Sequence, residues 1–242
     1  MMNPFSNEEE DKSIISRQHQ QNEKLARSYA ELFGFLADVF NQKPDKEMVE
    51  NLKSAGTGFW EDLEVHNSSN PNVRRGITYL SNFYDQVQSL EVDEIEKKMG
   101  MDWTKLFRGL GAGYGPMPPY ESLFLSKDAS NIEIIRRVSQ AYIHHNLVGS
   151  DEQKNRQDYL GVELDFMRYL AEKEADAWAN GDESKAGYYA KDLMGFFSEH
   201  PKQWAAAYCD QAARQASTKF YSGFLYLLKG ILEDLKDEKS VG

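Results

Sequence analysis

The stretch EKLARSYAELFGFLADVF, residues 23–40, decides the reading of the chain. Within it Leu25, Tyr29, Leu32, Phe33, Leu36, Val39 and Phe40 recur at spacings of three and four, the signature of one apolar helix face. Asn22 precedes it as a suitable N-cap. On the N-terminal side, residues 1–22 are rich in Glu, Gln, Asn and Ser without a sustained apolar period, and are expected to be a mobile polar tail. On the C-terminal side the helical period returns repeatedly. Pro44 and Asp45 open a short helix, Ile77, Leu80, Phe83, Tyr84 and Val87 follow Pro71, and Asp93 is placed to cap a segment through Met99, Trp103, Leu106 and Phe107. Residues 131–147 read as helix, residues 149–157 as a polar linker, and Leu160, Leu164, Met167, Leu170, Ala171 and Trp178 as the next apolar face after Asp158. No period-two strand and no fixed repeat stands out. The chain therefore reads as all-α, a compact helical bundle of about ten helices in two packed halves, 23–148 and 158–236, forming one functional domain with a hinge near 149–157.

Charge and composition narrow the function. The 242 residues hold 28 Lys and Arg against 39 Asp and Glu, a formal charge of −11. That balance speaks against nucleic acid and anionic membrane surfaces, which require clustered basic residues, and favours a cationic partner. No segment approaches the ~18 uninterrupted apolar residues of a membrane span. The acidic N-terminus is unlike a secretory leader, and the single Cys209 supports neither an internal disulfide nor a Cys-based zinc site. A cytoplasmic protein is expected.

Catalytic and cofactor machinery is not visible. His144 and His145 are adjacent, so on a continuous helix they diverge by about 100° and cannot share a metal face. His19 falls in the tail, and His66 and His200 lack a ligand-type partner three or four residues on. No metal and no cofactor is expected, and these histidines read as solvated or capping. Cys209 reads as a small packing residue. Gly109, Gly111, Gly113 and Gly115 alternate but match neither GxxxxGK[ST] nor GxGxxG, which favours a flexible connection over a phosphate loop. Arg74 and Arg75 read as a solvated pair on a helix.

The informative constellation is Trp103-Thr-Lys-Leu-Phe-Arg-Gly109, then Pro118-Pro-Tyr-Glu-Ser122, then Gln157-Asp-Tyr-Leu-Gly-Val-Glu-Leu-Asp-Phe-Met167. The first two would form a rigid aromatic lip, its loop stiffened by proline. The alternative for Trp103 and Phe107, one turn apart, is the core. These three elements, in this order, resemble the cytoplasmic redox-enzyme maturation chaperones of the TorD and DmsD type, relatives of the nitrate reductase assembly chaperones. The family's pattern is aromatic-x-x-Leu-Phe-x-Gly, Pro-Pro-aromatic-(Glu or Gly)-Ser, and Asp-His before a Leu-Glu-x-x-Phe-Met helix; Phe196, His200, Trp204 and Phe220-Tyr221 also fall in its order. Here Tyr159 stands in place of the family's histidine.

The resemblance implies a binding protein without enzymatic activity. It would hold the twin-arginine leader peptide and the precursor of a molybdenum-type oxidoreductase, and assist cofactor insertion before export. A leader joins a basic region to an apolar one, so its receptor needs an apolar groove edged by acid. By resemblance Trp103, Leu106, Phe107, Pro118, Pro119 and Tyr120 line the apolar part, Tyr159 adjoins it, and Asp158 and Glu121 pair with leader arginines. Asp158 is equally placed to be a helix N-cap, while Glu163 and Asp165 favour a solvated or intrahelical role, such as Asp165 with Arg168. Alternatives are a nucleotide hydrolase using the glycine stretch and a structural adaptor for the mature redox enzyme. A polar hinge between helical halves allows a monomer or a domain-swapped homodimer.

Overall fold

The computed structural model of the chain describes residues 5–55, 68–109, 115–125, 131–147 and 156–237. Among them, regular structure is helical: α1 (Phe5–Asn41), α2 (Lys46–Ala55), α3 (Pro71–Val87), α4 (Val92–Phe107), α5 (Glu121–Leu125), α6 (Asn131–His144), α7 (Leu160–Ala179), α8 (Glu183–Glu199), α9 (Pro201–Gln215) and α10 (Lys219–Asp237). The expected all-α bundle is what these residues form. The hinge at 149–157 falls almost wholly outside the described residues, as do His66, Gly111 and Gly113.

Local chemistry sets three of the helix starts. The Asn70 side chain accepts from Asn72 N at 2.8 Å, with Pro71 in the first turn of α3. The Asp45 carboxylate accepts from Met48 N at 2.9 Å to start α2, and Asp182 from Lys185 N at 3.0 Å to start α8. Two expected caps fall elsewhere. α4 has Glu91 at its N-cap position without a side-chain cap bond, and Asp93 lies within its first turn, where a carboxylate favours the positive end of the helix dipole. α7 starts after Tyr159, which makes no side-chain cap bond, so Asp158 is not its N-cap.

The largest difference from expectation lies at the N-terminus. α1 runs from Phe5, and no break marks residue 22. Glu, Gln, Lys and Arg are good helix formers, and extending a helix already nucleated costs far less than starting one, so a polar run without apolar period can continue it. His19 lies against the Trp178 ring at 5.3 Å and its Nε2 is 2.8 Å from Glu183 Oε1, which ties this extension to α7 and α8. Leu25, counted above on the apolar face, is exposed.

Packing interleaves the two stretches. α1 lies along α7, α3 along α10, and α8 and α9 complete the layers around one continuous core. Helices α3 and α10 meet backbone to backbone at Gly76, Gly223 and Gly230. A Cβ added at Gly76 would lie 2.6 Å from Leu227 N and 2.8 Å from Gly223 O. Gly76→Ala is accordingly expected to cost about 1–3 kcal/mol, the range of overpacked sites. Urea unfolding of this variant checks it; wild-type stability would show that the two helices are free to separate.

Candidate functional site

The three sequence elements meet in space. α4 ends in Trp103, Leu106 and Phe107, and the chain then turns at Gly109, whose φ of 66° is left-handed and whose missing Cβ leaves room for Pro118 at about 3.2 Å. The Pro118–Ser122 loop docks on the chain entering α7 through a single antiparallel bridge between Tyr120 and Tyr159. Its hydrogen bonds run from Glu121 N to Asp158 O at 2.8 Å and from Leu160 N to Pro119 O at 2.9 Å. Residues some 40 positions apart in the chain are thus pinned side by side.

The aromatic residues expected to form a lip are core. Trp103 is 5% exposed, and its indole N–H donates to the Val39 carbonyl at 3.1 Å. Leu106 and Phe107 are fully buried, with Phe107 against Phe40 at 4.7 Å. Tyr159 is also fully buried, and its hydroxyl donates to the Phe40 carbonyl at 2.9 Å. Burial pushes its phenol above the ordinary tyrosine range. These four side chains offer no surface to a ligand in this conformation. Pro118 and Tyr120 are half-buried and remain accessible, while Pro119 is buried. The physical reason is that one apolar helix face cannot serve both interior and groove, and α1 already covers it.

Asp158 is fully buried but closed by a guanidinium. Its Oδ2 accepts from Ser122 N at 3.2 Å, so it caps α5 across the loop rather than its own helix. Arg156 Nη2 lies 3.2 Å from the same oxygen and 3.1 Å from Ser122 Oγ, and Arg156 Nε is 3.1 Å from Asp158 Oδ1. The guanidinium sits 4.4 Å above the Tyr120 ring and is about half exposed. A carboxylate, a hydroxyl and an aromatic face together form an arginine cradle, and Arg156 fills it. The motifs gave no sign of Arg156, because apart from Asp158 its partners, Ser122 and Tyr120, lie 34 and 36 residues away.

Glu121 is paired inward. Its Oε2 lies 2.9 Å from His200 Nδ1, and both side chains are buried. His200, read above as solvated or capping, is therefore a core histidine facing a carboxylate. Glu163 adjoins them, fully buried, with neither carboxyl oxygen at hydrogen-bonding geometry to a donor among the described residues. It is not the solvated residue expected, whereas Asp165 does pair with Arg168, at 2.8 Å. Burial first, then the charge of Glu121, raises the Glu163 carboxyl well above the usual carboxylate range. A carboxyl raised on folding contributes stability that is fully present below its unfolded pKa of about 4.3 and lost as pH rises through the folded value. Glu163→Gln cannot ionise and should remove that loss, so its stability should fall less than that of the wild type between pH 5 and pH 8. Denaturation of both proteins at pH 5 and pH 8 checks this, and parallel pH profiles would sink it.

Two of the concavities among the described residues bear on the site, the first adjoining this knot at His200. A cavity of about 730 Å³ between α6 and α8 is lined by Arg136, Arg137, His145, Phe196 and His200 among others. A groove of about 480 Å³ between α1 and α2 has Phe35, Val39, Met48 and Leu52 as its floor, with Asp38, Asp45 and Glu47 outnumbering the one base, Lys43, at its edge. The second has the apolar-and-acidic character sought above, and it is built from residues that the motifs did not include. Cys209 is buried, and its surroundings push the thiol up, as suits a packing residue. No helix among the described residues is long and apolar enough to cross a membrane.

No curated protein matches the chain. A sequence model described as nitrate reductase delta subunit matches residues 68–210, more than half the chain, and this span contains all three converging elements. The chain belongs to the nitrate reductase delta subunit family, the family of NarJ/TorD-type chaperones for molybdoenzyme assembly.

Proposed function

We propose that this protein is a cytoplasmic chaperone, not an enzyme, that binds the twin-arginine leader of a molybdenum-type redox enzyme precursor and assists cofactor insertion before export. The observation that carries the reading is the cradle of Asp158, Ser122 Oγ and the Tyr120 ring, which holds a half-exposed guanidinium. A leader arginine has the chemistry to take the place of Arg156, since a guanidinium can bond a carboxylate through two N–H groups and stack on an aromatic ring while a lysine ammonium cannot. The acid-edged groove between α1 and α2 would take the leader's apolar stretch in place of the buried Trp103, Leu106 and Phe107. Glu121, paired with His200, then serves to hold the loop and not the leader.

Calorimetry with twin-arginine leader peptides tests this. Asp158→Asn keeps an acceptor for Ser122 N, so the fold should persist while affinity falls by about 1.5–3 kcal/mol, roughly tenfold to a hundredfold. Arg156→Ala removes the internal competitor and should tighten binding. Affinity should also fall from 0.1 M to 1 M salt, as the Debye length shortens from ~10 Å to ~3 Å. No binding by any leader of a broad panel, or undiminished binding by the Asp158 variant, would overturn the reading.

A further inference from the structure

The adjacent imidazoles of His144 and His145 do not diverge as they would on a continuous helix. α6 ends at His144, His145 lies in the turn that follows, and Asn146 adopts a left-handed φ of 58°. This turn brings the two rings to 5.1 Å, edge to face, opposite Asp192 on α8. One donor atom from each of His144, His145 and Asp192 lies within 4.8 Å of the others. Asp192 Oδ2 is 3.0 Å from His145 Nε2 and 3.8 Å from His144 Nε2.

Asp192 Oδ2 is buried and lies within ion-pair reach of both imidazoles. Two imidazole nitrogens and a carboxylate oxygen thus share one small space. We infer that His144, His145 and Asp192 form a site for a divalent first-row transition ion of the zinc, cobalt or nickel type. Such an ion, with bonds of about 2.0–2.2 Å, places tetrahedral ligand atoms about 3.3–3.6 Å apart, between the two observed separations.

Two imidazole nitrogens and one carboxylate suit these ions better than magnesium or calcium, which prefer all-oxygen sets. Arg136, Arg137 and Lys191 line the same cavity and repel a cation held only by charge, so affinity must come from coordination. Tyr188 Oη lies 2.8 Å from His144 Nε2. Its side chain is exposed, so the inferred site requires an outward rotation of Tyr188 that frees this nitrogen and leaves a fourth position for water or for a ligand in the cavity.

The untagged full-length chain, stripped with chelator and titrated with Co²⁺, is expected to bind one equivalent with visible d–d absorption, displaced by Zn²⁺ and not by Mg²⁺. His144→Ala, at an exposed position, and Asp192→Asn should each weaken Co²⁺ at least tenfold, with an unchanged melting temperature in the absence of metal. Anomalous diffraction from Zn²⁺-soaked crystals should place the ion between the three side chains. The inference is overturned by no stoichiometric binding, by wild-type affinity in both variants, by displacement with Mg²⁺, or by an ion located elsewhere.

Discussion

Trp103→Ala is expected to destabilise the protein by about 3–5 kcal/mol, the range of large aromatic truncations in a core. Three losses combine. The indole surface leaves an apolar interior, a cavity opens beside Phe107, whose ring meets Trp103 edge-on at 6.1 Å, and the Val39 carbonyl loses its donor. The last loss matters because Val39 sits near the end of α1, where Phe40 also takes the Tyr159 hydroxyl. The end of α1 should therefore loosen together with the entrance to α7. Denaturant unfolding of the variant, with leader calorimetry at a temperature where it remains folded, separates core from groove. A variant with wild-type stability and lost affinity would return Trp103 to the binding surface.

Asp102→Ala should cost about 3 kcal/mol or more, because hydrogen bonds to a charged group are worth roughly 1.5–3 kcal/mol and several are lost together. The Asp102 carboxylate is 2% exposed. It accepts from Ser217 N at 2.9 Å, Thr218 N at 2.8 Å and Thr218 Oγ1 at 2.8 Å, and so caps α10 from a helix more than a hundred residues earlier. Asp102→Asn keeps one acceptor oxygen and should lose clearly less. Hydrogen exchange should report faster opening in the first turns of α10 than in α1. Equal, uniform loosening across all helices would show that Asp102 acts as a general core residue and not as this cap.

The helices were legible because a buried helix face repeats every three to four residues, whatever it packs against. Phe33, Leu36, Val39 and Phe40, then Leu160, Leu164, Met167 and Leu170, carry that period and are all buried. The same reasoning misplaced the start of α1, since a polar helix carries no apolar period to read. Capping was legible at Asp45, which stands next to the helix it starts. It was not legible where the cap crosses the fold, as Asp102 does to α10 and Asp158 to α5.

The candidate site divides the same way. Its three motifs, and through them the family, stood in the order of residues along the chain. Which side of each residue faces outward did not: Trp103 and Tyr159 present the same letters whether they line a groove or fill a core. Burial is a property of what packs on the other side, and here that partner is α1. Asp158 with Arg156, Glu121 with His200, and His144 and His145 with Asp192 are contacts between side chains whose spacing follows no helical period. The sequence by itself determined helical class, acidic charge and family. Only the tertiary structure decided which polar groups are buried and who partners them, because a pair of charges is set by distance through space, and a helix fixes that distance only within its own few turns.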